Sequence, residues 1–262
     1  MRCLSEITPG VLVATSELFV TNTTVVAGPD GDCLLIDPAV TAADLRLLAA
    51  DLAAGGLRAE LGFATHAHWD HVLWCQDFGD APRLATQDAA AAARRDRAAM
   101  ISELRQVAAG HDLELFGQVC ALDPGQDALG WNGPPARVLA HNGHAPGHGA
   151  IFLPDAGVLV AGDMCSDIEI PLLALDAPDP VGDYRAGLAL LAGLAGVRLV
   201  IPGHGSVGDA AAFRSRVTAD LGYLDALERG EDAADSRLTA GWLRAEHERQ
   251  LRRVRGLRRF PG

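Results

Sequence analysis

Thr65-His66-Ala67-His68-Trp69-Asp70-His71 puts three histidines and an aspartate within six residues, a density that makes sense together only as metal chemistry. The run before it, Leu57 to Phe63, is short and largely apolar, contains Gly62, and reads as a buried strand. The cluster therefore falls where a strand gives way to a loop, a common seat for catalytic groups. Residues two apart in an extended segment point the same way, so His66 and His68 can converge on one ion. The turn through Asp70 and His71 can then offer a carboxylate and an imidazole to a second. A hydrogen-bonded histidine closing a strand would be the plain account of one such residue, but four candidate ligands in one stretch outweigh it.

Upstream, residues 7–27 alternate β-branched and apolar residues with turn formers, and Gly28-Pro29-Asp30-Gly31 separates Thr23 to Ala27 from Cys33 to Asp37, which predicts a β-hairpin. Asp37-Pro38 ends the second strand. Thr41 caps a helix carrying Leu45, Leu48 and Leu52 at helical spacing until Gly55-Gly56 stops it. Downstream, Met100, Ile101, Leu104, Val107 and Ala108 trace one face of an amphipathic helix within 87–109, either an ordinary packing helix or a wall of the substrate pocket. Gly130 to Pro135 reads as a surface loop.

The strand-then-loop pattern recurs. Arg137 to Ala140 precede Gly143-His144-Ala145-Pro146-Gly147-His148; the hairpin of 150–153 and 158–161 runs into Gly162-Asp163; and Val197 to Ile201 deliver Pro202-Gly203-His204-Gly205. Every candidate ligand thus lies beyond the C-terminal end of a predicted strand. A helix is expected over 183–194. From Asp209 onward the pattern is helical, with Phe213, Val217, Leu221 and Leu224 on one face and Leu243, Leu251 and Val254 on another. Arginines 244, 249, 252, 253, 255, 258 and 259 form a basic tail.

Composition narrows the classes. The chain has 262 residues, 49 % of them hydrophobic, and a net charge of −12; all 22 basic residues are arginine. That length buries a sizeable core without staples, and a mean hydropathy of +0.13 fits a globular protein. No apolar run approaches the roughly 18 to 20 residues that span a bilayer, and the N-terminus shows no secretory pattern; the expectation is a cytoplasmic protein that binds no membrane. An acidic balance disfavours nucleic-acid binding. Five scattered cysteines without a C-x-x-C pair argue against disulfides and zinc ribbons. The expected partner is a small-molecule substrate, and oligomeric state stays open.

The set His66-x-His68-x-Asp70-His71, His148, Asp163 and His204 resembles the metallo-β-lactamase fold hydrolases, over most of residues 7–205. The resemblance implies an α/β fold, a four-layer αβ/βα sandwich, with extra helices at 87–109 and at the C-terminus. It implies one domain over 1–262, in which 207–262 is a helical extension. It also implies that His66, His68 and His148 hold a first metal, that Asp70, His71 and His204 hold a second, and that Asp163 bridges them. His144 is expected to be a supporting loop histidine, Asp37 to brace the motif loop, and His111, His141 and His247 to stand apart. Asp167 and Glu169 could face the pocket, and Trp69 and Trp74 could line its mouth or pack in the core.

Five imidazoles and two carboxylates suit two divalent ions, Zn²⁺ first, with Fe²⁺ or Mn²⁺ as alternatives. Ions sharing a water would lower its pKa from about 15.7 towards 7, giving a metal-bound hydroxide nucleophile. Asp70 would orient it as the catalytic carboxylate. The order Pro146-Gly147-His148, Gly162-Asp163, Pro202-Gly203-His204-Gly205 looks closest to the glyoxalase II-like and lactonase-like members. The expectation is a dinuclear hydrolase of an ester, thioester or lactone; the alternative is a mononuclear iron oxidoreductase of the persulfide dioxygenase type.

Overall fold

The computed structural model describes residues 3–259, with side chains up to residue 257; the side chains of Arg258 and Arg259 in the basic tail lie outside the described residues. The chain forms β1 (Ser5–Thr8), β2 (Val11–Thr15), β3 (Asn22–Ala27), β4 (Asp32–Ile36), α1 (Ala42–Ala54), β5 (Arg58–Phe63), β6 (Arg83–Ala85), α2 (Gln87–Val107) and β7 (Cys120–Ala121). There follow β8 (Arg137–His141), β9 (His148–Leu153), β10 (Val158–Gly162), α3 (Pro180–Ala192), β11 (Leu199–Pro202), β12 (Gly208–Asp209), α4 (Ala210–Arg229) and α5 (Gly241–Arg259).

Two sheets result. The first runs β1 to β7 in sequence order, antiparallel as far as β4 and parallel from there on. The second has the order β12-β11-β10-β9-β8, with β10 and β11 its parallel pair. The switch to parallel pairing at β4 and β5 follows from the crossover through α1. That helix starts where the Thr41 side chain accepts the Asp44 N–H and ends at Gly55, so the sequence signals at both ends are the physical ones.

Apolar side chains on alternating strand positions give each sheet two faces to cover. Val11, Val26, Leu34, Ile36 and Phe63 of the first sheet meet Val138, Ile151, Val158, Val160 and Ile201 of the second in one inner core. The outer face of the first sheet packs against Leu45, Leu48 and Leu52 of α1 and Ala89, Ala93, Met100 and Leu104 of α2. The outer face of the second packs against Tyr184, Leu188 and Leu191 of α3, Phe213, Tyr223, Leu224 and Leu227 of α4, and Leu243, Leu251 and Val254 of α5. Helix, sheet, sheet, helix is the four-layer arrangement expected.

The helix of 87–109 is a packing helix, buried through its alanines. The helix expected over 183–194 begins earlier, at Pro180, because Asp179 caps it through the Gly182 N–H and a proline suits its first turn. Trp69 and Trp74 are buried in the core. Four arginines of the basic tail bond within the chain: Arg253 donates to the Leu175 and Ala177 carbonyls, Arg255 to the Gly230 carbonyl, and Arg249 and Arg252 pair with Glu246 and Glu248. Among the described residues no helix is long and apolar enough to cross a membrane.

Candidate metal centre

Beyond β5 the chain turns through Thr65 to His71, and Asp37 at the end of β4 holds the turn in place. Its carboxylate accepts the Thr65 N–H (2.8 Å), the Thr65 hydroxyl (2.6 Å) and the His71 Nδ1–H (2.9 Å). Asp37 itself adopts a left-handed φ of 49°, a costly conformation for a residue with a side chain and one that concentrates at functional sites. The expectation that Asp37 braces the motif loop is met in these bonds.

Seven side chains converge as two groups. His66, His68, His144 and Asp163 each bring one ligand atom within 4.8 Å of the others, and so do Asp70, His71 and His204. In the first group His68 Nδ1 lies 3.0 Å from His66 Nε2 and 3.0 Å from His144 Nε2. Asp163 spans the groups: its Oδ2 is 3.5 Å from His66 Nε2, 3.4 Å from His144 Nε2 and 3.3 Å from His204 Nε2, and its Oδ1 is 3.2 Å from His71 Nε2. Asp70 Oδ2 stands 3.4 Å from His204 Nε2 and 3.7 Å from His71 Nε2.

Four of the five histidines commit an outer ring nitrogen elsewhere, which turns the other nitrogen toward the centre. His144 Nδ1 donates to the Leu172 carbonyl (2.9 Å) and His204 Nδ1 to the Phe19 carbonyl (3.0 Å). His71 Nδ1 donates to Asp37, and His66 Nδ1 to the Thr65 hydroxyl oxygen (3.0 Å), whose own proton goes to Asp37. Such outer bonds set the tautomer that a metal ligand needs. Crowded imidazole nitrogens and a buried Asp163 Oδ1 without a hydrogen-bond partner form a donor set that fits divalent cations.

The structure corrects one assignment. The resemblance puts His148 in the first group, and the structure puts His144 there instead. His148 is the first residue of β9 and pairs across the sheet with His141 on β8, so its ring is fixed behind the site: Nδ1 faces His141 Nε2 at 3.0 Å and Nε2 accepts the Asp163 N–H at 3.2 Å. His144 lies in the loop ahead of that strand and is free to turn inward. The signal is present in the sequence, since every other ligand sits in the loop beyond a strand. His141, expected to stand apart, supports His148 by this contact. His111 bonds the Val40 carbonyl, and His247 bonds Tyr223 and Asp232, both away from the centre.

Two glycines permit the close packing. A Cβ on Gly203 would stand 1.9 Å from Asp163 Oδ1, and one on Gly162, at a φ of 55°, would stand 2.3 Å from His148 Nε2. The electrostatics follow the grouping. Burial, with the charge of His71, holds the His66 imidazole well below its ordinary range, and burial with His68 nearby pushes His144 down to about 3. Burial also presses on His71 and His204, but there the carboxylates, Asp163 foremost, outweigh it and hold both well above the ordinary imidazole value. Burial raises Asp70, yet His71 and His204 overcome this and lower it to about 2.

Sequence reasoning also missed the loop ahead of β3. Phe19 and Val20 have φ values of 57° and 53°, and this strained pair turns the Phe19 carbonyl onto His204. No sequence pattern marks two bulky residues for that conformation.

The metallo-beta-lactamase superfamily model matches residues 17–204. Among curated protein sequences none matches. A metallo-beta-lactamase family protein from Thermus thermophilus is similar in structure, with a TM-score of 0.72 and 23% identity, over 97% of this chain and 95% of that one. A beta-lactamase domain protein from Burkholderia ambifaria gives a TM-score of 0.64 and 20% identity over 87% and 76% of the two chains. A metallo-beta-lactamase from Pontibacter korlensis gives 0.60 and 17% over 83% and 97%. At these identities the structural likeness speaks for the fold alone.

Proposed function

The chain belongs to the metallo-β-lactamase superfamily, and from that premise and the geometry of its centre we propose a dinuclear metal-dependent hydrolase of a small-molecule ester, thioester or lactone. The observation that carries the proposal is Asp163, whose carboxylate lies 3.2 to 3.5 Å from imidazole nitrogens of both ligand groups. We assign His66, His68 and His144 to one ion, Asp70, His71 and His204 to the other, and Asp163 to the position between them. Two divalent ions, Zn²⁺ by the nitrogen-rich donor set, would supply Lewis acidity toward a carbonyl oxygen and acidify a water.

The chain's own residues do the rest. Asp70, ionised throughout the neutral range, is placed to accept a hydrogen bond from the attacking water and so to aim it. Asp37 and Thr65 keep His71 and His66 in the tautomer that presents Nε2. Burial keeps His66 and His144 of the first group neutral, so their nitrogens need not shed protons before binding. Residues 1–262 are read as one unit, with α4 and α5 the helical extension that covers the second sheet.

The test is metal content by plasma mass spectrometry together with hydrolysis of a panel of simple esters, thioesters and lactones on the same protein. About two ions per chain, with activity lost in chelator and restored by Zn²⁺, is the expected result. One iron per chain with oxygen uptake on a persulfide would overturn the hydrolase in favour of an oxidoreductase.

A further inference from the structure

The metal centre is assembled across the gap between the two sheets. His66, His68, Asp70 and His71 arrive from the first sheet, and His144, Asp163 and His204 from the second. The contacts between the sheets are mostly apolar; they set the spacing but, being non-directional, fix register weakly. Hydrogen bonds from sheet to sheet are what hold the two ligand sets in line. On the side of the first group these include the Gly149 N–H to the Thr65 carbonyl (2.7 Å) and the Thr86 hydroxyl to the Gly147 carbonyl. On the side of the second group they come from Asn22, the first residue of β3.

Asn22 is buried, and it answers the carbonyls on both sides of His204. Its side-chain nitrogen donates to the Pro202 and Gly205 carbonyls (2.9 Å each), and its backbone N–H donates to the Gly203 carbonyl (2.7 Å). The His204 carbonyl accepts from the Ser166 hydroxyl, so every carbonyl of 202–205 is engaged. The orientation of the amide is forced: carbonyls only accept, and the Thr15 hydroxyl donates to Oδ1 (2.8 Å). The same stretch of chain closes on the ring itself. The Phe19 carbonyl takes the His204 Nδ1–H and the Val20 carbonyl takes the Gly205 N–H (3.0 Å each), with the Thr21 hydroxyl 3.3 Å from His204 Nδ1. An aspartate in this place would set a carboxylate oxygen against two carbonyls, and an alanine would leave both without their donor.

We propose that Asn22 is a positioning residue for the second ion: by gripping the carbonyls on either side of His204, it fixes where that imidazole stands opposite Asp70 and His71. The inference rests on the assignment of His204 to that ion. Loss of the amide frees both flanks of His204 and leaves only the backbone bond to Gly203, whereas the first group keeps its own bonds between the sheets.

The test titrates the zinc-loaded protein with a competing chelator and reads the affinity of each group beside the unfolding temperature; the step abolished in His204→Gln marks the second ion. Asn22→Ala should weaken the second ion about 10- to 100-fold and the first by less than about threefold, the range of residues that orient a ligand. Thr15→Val leaves the amide in place without its orienting donor and should weaken the second ion by less, which keeps the test decisive if Asn22→Ala does not fold. Leu48→Ala, in α1 on the outer face of the first sheet, should lower the unfolding temperature with both affinities kept. Affinities that fall equally in the folded Asn22 variant, or a second ion held unchanged in Thr15→Val where Asn22→Ala does not fold, overturn the proposal. If the wild-type protein holds fewer than two ions, the dinuclear reading fails, and positioning is read from hydrogen exchange at His204 Nδ1 in the metal-free protein, assigned by its loss in His204→Gln. Exchange at least about tenfold faster in Asn22→Ala or Thr15→Val than in Leu48→Ala supports the positioning; equal exchange overturns it.

Discussion

The two halves of the metal centre are built from different materials. His66, His68 and His144 form a group of imidazoles, two of them held neutral by burial. Asp70, His71 and His204 form a group in which carboxylates dominate and hold both imidazoles toward the protonated state. The first group is anchored by a hydroxyl and a carbonyl, the second by the buried carboxylate of Asp37 and a carbonyl from a strained loop. One group thus offers a cation neutral donors, and the other offers charged ones. Asp163 is the residue common to both, and how far the halves act independently is a question of what it transmits.

Removing that link should have the largest effect. Asp163→Asn is expected to release at least one ion per chain and to lower hydrolysis by more than roughly 100-fold, exceeding the 10- to 100-fold typical of residues outside the ligand shell; metal analysis and kcat/KM measure both. Next comes the contrast between two histidines. His144→Ala should empty the first group of its ion, whereas His148→Ala should keep two ions per chain. The latter should cost about 1–3 kcal/mol in unfolding free energy, because the Asp163 N–H loses its buried acceptor. Chemical denaturation and metal analysis of the pair decide between them, and loss of an ion in His148→Ala alone would restore that residue to the ligand set.

Asp37→Asn should act chiefly on the second half. It leaves an amide oxygen for the Thr65 N–H but removes the charge facing His71 Nδ1, so affinity at the second group should fall about 10- to 100-fold, while the first group, reached only through the Thr65 hydroxyl that bonds His66, should fall less. The smallest effect is expected from pH. An imidazole raised above its ordinary value keeps its proton to higher pH, and a ligand must lose that proton to bind. On acidification from neutrality the second group should therefore release its ion first, and the first group, whose His144 titrates only near 3, should hold on longer. Metal retained after dialysis at stepped pH shows the order; simultaneous release would mean that Asp163 couples the halves into one.

The sequence carried much of this because ligands at a strand end are local. His66, His68, Asp70 and His71 need only a strand and a turn to be recognised, and Asp163 and His204 each follow an apolar strand directly. The exchange of His144 for His148 shows where local reading stops. Both lie in one short loop-strand segment, and the choice between them depends on the pairing of β9 with His141 on β8, a contact across the sheet. The short strands β6 and β7 lacked any periodicity to read, since each holds two or three residues and is defined by its neighbours. The left-handed pair Phe19 and Val20 is a tertiary fact of the same kind, tied to the bond between the Phe19 carbonyl and His204.

The central claim is that two ions sit on either side of Asp163, with His144 among the ligands of the first. Anomalous scattering from a crystal of the zinc-loaded protein, recorded at the zinc edge, tests it most directly. The account predicts two peaks per chain, one among His66, His68 and His144 and one among Asp70, His71 and His204, with Asp163 between them. A single peak, or a first peak against His148 rather than His144, would contradict it.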